Sequence, residues 1–132
     1  MSTEARQLAL EALYEADQRD LDDYPTELPS RAARLVSGVL DNLAALDAEI
    51  EAVAEHWQVH RMPVVDRAIL RLGLYELRFE PDTPKGVVVS EAVRLAKLYG
   101  SERSGSFVNG VLAKLAAVSP PAGPAGVGGA SC

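Results

Sequence analysis

Between Pro63 and Phe79 the chain is apolar on two sides of a helical pattern, and this limits the fold more than any other stretch. At 100° per residue, Val65, Ala68, Leu72, Tyr75 and Phe79 form one stripe. Leu70, Leu74 and Leu77 form a second on roughly the opposite side. A helix apolar on two faces is buried between two layers, so other segments must cover it from both sides. What stays polar is mainly a narrow strip of Arg67, Arg71 and Arg78. Glu76 lies beside the first stripe, where a carboxylate needs a hydrogen-bonding partner or access to solvent.

The covering segments also read as helices. The spacing predicts a first helix over Thr3 to Gln18, with Ala5, Leu8, Ala9, Ala12, Leu13 and Ala16 on its buried face. Asp20 to Pro29 reads as a polar loop, and Pro29 suits a first helical turn because its missing N–H costs nothing there. The second helix carries Leu35, Val36, Val39, Leu40 and Leu43. Asp47 is expected to cap a third, with Ile50, Val53, Ala54 and Trp57 inward. After the break at Glu80 to Pro84 a fifth helix turns Val88, Ala92, Leu95, Ala96 and Tyr99 inward, and Gly100 is placed to stop it. No stretch alternates with period two between turn dipeptides, so strands are not expected. The expectation is an all-α fold of one domain, residues 1–118, followed by a disordered Pro/Gly-rich tail, 119–132.

No run approaches the ~20 apolar residues of a membrane span, and the N-terminus shows no signal-peptide stretch. The one cysteine, Cys132, excludes an intramolecular disulfide and fits a reducing cytoplasm. The net charge of −6 argues against a generic nucleic-acid binder. Its distribution does not: residues 1–60 carry 4 basic and 13 acidic side chains, residues 61–132 carry 9 and 6. Such asymmetry points to two different partner surfaces.

Catalytic signatures are missing from the sequence. There is no phosphate loop, dinucleotide glycine pattern or nucleophile elbow. His56 and His60 lie four apart, but no further ligand completes a zinc motif, so two half-exposed histidines are the simpler reading. Asp22 and Asp23 read as solvated loop carboxylates. No enzyme activity, metal or cofactor is expected.

The segment Arg103 to Leu115 predicts a sixth helix, with Val108, Val111, Leu112 and Leu115 as its apolar stripe and Phe107 at the stripe's edge. Arg103 and Lys114 lie beside it, away from the core. An aromatic ring flanked by cations suits stacking on a nucleic-acid base. A core phenylalanine beside two solvated charges satisfies the same spacing.

Four motifs in order carry a family resemblance. Residues 65–77, Val-Asp-Arg-Ala-Ile-Leu-Arg-Leu-Gly-Leu-Tyr-Glu-Leu, resemble the central helix of the NusB family of bacterial transcription antitermination factors. Residues 90–97, Ser-Glu-Ala-Val-Arg-Leu-Ala-Lys, resemble its next helix. Residues 107–112, Phe-Val-Asn-Gly-Val-Leu, are similar to its Phe-Val-Asn-Gly signature, and residues 9–14, Ala-Leu-Glu-Ala-Leu-Tyr, to its first helix.

The resemblance implies six to seven helices in two small helical subdomains. It implies binding of the boxA element in ribosomal RNA leader transcripts, and pairing with NusE, a small-subunit ribosomal protein, within an RNA polymerase antitermination complex. Some members form homodimers that hide the RNA surface, so a homodimer stays open. Carried over by position, the RNA surface comprises Arg6, Arg67, Arg71, Ser106 and Phe107, with Arg103 adjacent. Asn109 has two readings, RNA contact or satisfaction of neighbouring backbone groups, and Gly110 is expected to permit close helix packing. The protein-partner surface comprises Tyr14, Asp66 and Glu76.

The chain departs from the family pattern in three places. It keeps only Arg6 of an arginine-rich start, Glu11 stands where glutamine is usual, and Ser90 replaces a common asparagine. The sparse N-terminal arginines and the net charge of −6 leave a second reading open, a protein scaffold with little RNA affinity. A third is the helical domain found at the front of certain RNA cytosine methyltransferases, which needs a cofactor-binding domain after it.

Overall fold

A computed structural model describes residues 3–18, 27–55 and 57–118. The expected tail, most of the loop before Pro29 with Asp22 and Asp23, and His56 lie outside these residues. The elements are α1 (Thr3–Gln18), α2 (Ser30–Asp41), α3 (Leu43–Val53), a single 3-10 turn (Val59–Arg61), α4 (Val64–Phe79), α5 (Lys85–Tyr99) and α6 (Ser104–Ala117). Among the described residues there is no strand.

Three helices start by the same device. Pro29, Pro63 and Pro84 precede α2, α4 and α5 with φ between −60° and −53°. Each ring holds φ near its fixed value. Each carbonyl then accepts the first helical N–H, from Ala33, Arg67 and Val88 respectively. The prolines act from just outside the helix, so Pro29 precedes the first turn of α2 rather than standing in it.

The α2–α3 break is a single residue, Asn42, whose side-chain amide donates to the Gly38 carbonyl at 2.8 Å. Helix α3 therefore starts at Leu43, and Asp47 lies within it rather than capping it. Helix α3 also stops at Val53, and the Glu51 carboxylate accepts the Val59 N–H at 2.8 Å across the loop that follows. That early stop takes Trp57 out of helical register, so it does not point inward but is 47% exposed.

Helix α4 packs against each of the other five α-helices, as its two apolar stripes require. Ile69, Leu70, Leu72 and Leu74 are buried on it. Two glycines allow close approach: at Gly38 of α2 a Cβ would overlap the Tyr75 ring, and at Gly73 it would lie 2.8 Å from Leu112 Cδ1 of α6. Helices α5 and α6 pack on each other and on α4, as do α1 and α2. Phe79 and Tyr99, expected inward, are 49% and 37% exposed at the ends of their helices. Gly100 ends α5 as expected, in extended rather than left-handed backbone. A side chain there would overlap Ser104.

Candidate nucleic-acid interface

The arginine strip of α4 is in place but clasped. Arg67 donates from Nε and Nη2 to the two carboxylate oxygens of Asp17, at 2.7 and 2.9 Å, and from Nη1 to the carbonyls of His60 and Met62. Arg71 makes the same forked pair with Asp47 at 2.8 and 2.9 Å, and its Nη1 lies 3.7 Å from Asp17. Arg78 donates to Glu49 and to the Leu115 carbonyl. The hydrogen bond to Asp17 pushes the Arg67 pKa above its ordinary value; burial opposes this, and the charges of Asp17 and Asp47 add to it. Forked charge-assisted pairs are the strong kind. An incoming phosphate must displace a carboxylate to reach either arginine.

Arg6 does not join this strip. It is 2% exposed, and its guanidinium grips Glu76, also 2% exposed, with Nε–Oε2 and Nη2–Oε1 both at 2.8 Å. Glu91 lies 3.8 Å from Nη1. The two residues expected on separate surfaces are thus each other's partner, and neither faces solvent. Burial answers the sequence question about Glu76: its partner comes from α1, 70 positions away.

The start of α6 is open. Arg103, Ser106 and Asn109 are exposed, and Phe107 is half-buried. Phe107 packs one side on the core and meets the Trp57 ring edge to face, with centroids 5.9 Å apart and planes at 63°. Phe107 is thus partly covered by the core and partly open to solvent. The Ser106 hydroxyl donates to the Arg103 carbonyl at 3.3 Å. Arg103 and Lys114 form no ion pair with any described residue. Trp57 was missed as a surface residue; its being the one tryptophan in the chain was the available signal.

The expected protein-partner residues come together only in part. Tyr14 is 40% exposed beside a hollow shared with Leu10, Val65 and Tyr99. The Tyr99 hydroxyl donates to Glu11 at 2.8 Å and accepts from Gln7. Asp66 borders the adjoining hollow with Tyr14, but it is 5% exposed and accepts the Ser104 hydroxyl at 2.6 Å. Its carboxylate sits in the first turn of α4, where a negative charge is favourable. Glu76 is not on this face. Gly110, expected at a helix contact, is exposed: apart from its own helix backbone, nothing lies within 4 Å of where a Cβ would sit. No helix among the described residues is long and apolar enough to cross a membrane. No cluster of three metal-ligating side chains occurs among them either.

The NusB family model matches residues 3–117. A transcription antitermination protein NusB from Leifsonia xyli subsp. xyli is 41% identical, over 89% of this chain and 92% of its own length. Among solved structures, T. maritima NusB superposes with a TM-score of 0.81 at 36% identity, covering 90% of this chain and 92% of that one. A chain from a crystal structure of the antitermination factors NusB and NusE in complex with dsRNA gives 0.74 at 30% identity, covering 86% and 94%.

Proposed function

Because this chain belongs to the NusB family, we propose that it is a transcription antitermination factor that binds boxA RNA of ribosomal RNA leader transcripts together with NusE. It acts as a binding factor in the cytoplasm, within an RNA polymerase antitermination complex, and not as a catalyst. Its RNA-binding domain spans residues 1–118.

The observation that carries this reading is the surface at the start of α6. Arg103, Ser106, Phe107 and Asn109 lie within two helical turns, Lys114 shares a cleft lining with the half-buried ring, and neither Arg103 nor Lys114 forms an ion pair with a described residue. Stacking supplies sequence-tolerant affinity, and cations neutralise phosphates. Arg67 and Arg71 contribute only where phosphates replace Asp17 and Asp47. Tyr14 and the rim of Asp66 form the surface for NusE. A homodimer covering the start of α6 would compete with RNA.

The test is a gel-shift titration of boxA against a scrambled RNA, with and without NusE. Preferential binding of boxA, alone or with NusE, supports the reading; equal affinity for the two RNAs in both conditions overturns it. Arg103→Glu should weaken binding at low salt, because each phosphate neutralised on a single strand contributes a slope of about −0.7.

One observation favours a second reading, a protein scaffold of the same complex with little RNA affinity of its own. Arg6, Arg67 and Arg71 are all paired with carboxylates. In that case the complex with NusE forms, and neither it nor the chain alone shifts boxA.

A further inference from the structure

We propose that the shallow cleft between the end of α3 and α6 receives one unstacked base of the bound RNA strand, with Trp57 as a stacking wall. This rests on the RNA-binding reading above. The cleft measures about 310 Å³, at the lower end of the range of small-ligand sites. Trp57 and Phe107 both line it. Trp57 remains 47% exposed although its ring meets that of Phe107, with centroids 5.9 Å apart. A large ring left half in water beside a cleft has a face available for a base.

Gly110 carries the argument further. Glycine inside a helix is destabilising relative to alanine, so its presence needs a reason. Gly38 and Gly73 have one in the Tyr75 ring and the Leu112 side chain that occupy their missing Cβ positions. Gly110 has none among the described residues; Gly86 shares this openness, but it stands in the first turn of α5 rather than in a helix interior. Gly110 lines the cleft, and the absent side chain leaves the cleft open to a ligand approaching the backbone closely. The charged groups specify what enters. Lys114, which pairs with no carboxylate among the described residues, offers a cation for a flanking phosphate. Glu55, also on the lining, repels phosphate but accepts from the amino or imino hydrogens of a base edge.

Because Trp57 is the only tryptophan, its fluorescence reports on this cleft without substitution. A short unstructured boxA RNA should quench it as binding, followed independently by gel shift, saturates. Replacing successive nucleotides by abasic sites should restore the emission at one position only. Trp57→Ala should weaken binding roughly 5- to 150-fold. Gly110→Ala should raise the unfolding temperature while weakening RNA binding, a combination that a purely structural glycine would not give. RNA that binds with Trp57 emission unchanged, and equally well to both variants, overturns the cleft assignment and leaves the RNA reading standing. Quenching by NusE in place of RNA assigns the cleft to protein and overturns it too. Failure to bind boxA with or without NusE removes both.

Discussion

Arg6 is where a family-based expectation and the physical structure part most sharply, and Arg6→Ala separates them. Arg6 and Glu76 have side-chain exposures of 3% and 2%, so solvent screens their forked pair hardly at all. Removing one partner of a buried ion pair leaves an uncompensated charge, which typically costs about 3–5 kcal/mol. For a domain of this size unfolding entropy converts that at about 4 °C per kcal/mol, so the melting temperature should fall by roughly 12–20 °C. Glu91 is not orphaned as well, because Thr3 donates to it at 2.9 Å and Arg94 at 3.3 Å. The double variant Arg6→Met/Glu76→Met should recover most of the loss, since apolar side chains of similar volume replace buried pairs at little or no net cost. The assays are thermal unfolding by circular dichroism and boxA binding well below the melting transition. A melting change under about 4 °C, about 1 kcal/mol, together with a tenfold loss of RNA affinity, would refute the reasoning and return Arg6 to the RNA surface.

Asp17→Asn should release Arg67 and loosen Arg71, tightening boxA binding at low salt and steepening the salt slope by about 0.7 for each phosphate newly neutralised; an unchanged slope would show that the strip meets no phosphate. Ser104→Ala removes the buried 2.6 Å bond to Asp66 and should cost about 1.5–3 kcal/mol in a denaturant titration. Tyr75 is 8% exposed, and its pKa is raised by burial first and then by the charges of Glu80 and Asp41, with Arg34 opposing. The fold thus favours the neutral phenol. That contribution is complete below the ordinary tyrosine value near 10 and is lost as pH climbs through the folded value. Unfolding free energy should fall from about pH 9 to 11 and fall less in Tyr75→Phe; parallel curves would contradict the assignment.

Helical periodicity alone determined most of the architecture. The two stripes of α4 required cover on both sides, and α4 is the helix that touches all the others. The limits of α1 and the stop at Gly100 follow from local spacing, because helix formation is decided within a few turns of the chain. The exposed cation and half-buried ring at the start of α6 were legible for the same reason. Tertiary structure decided the electrostatics. A sequence places Arg67 and Arg71 on one strip, but only the docking of α1 and α3 brings Asp17 and Asp47 onto them, across 50 and 24 positions. The same docking buries Arg6 against Glu76, and the early stop of α3 sets Trp57 beside Phe107. Charge pairing and aromatic contact depend on which surfaces meet, and no local pattern in the chain encodes that.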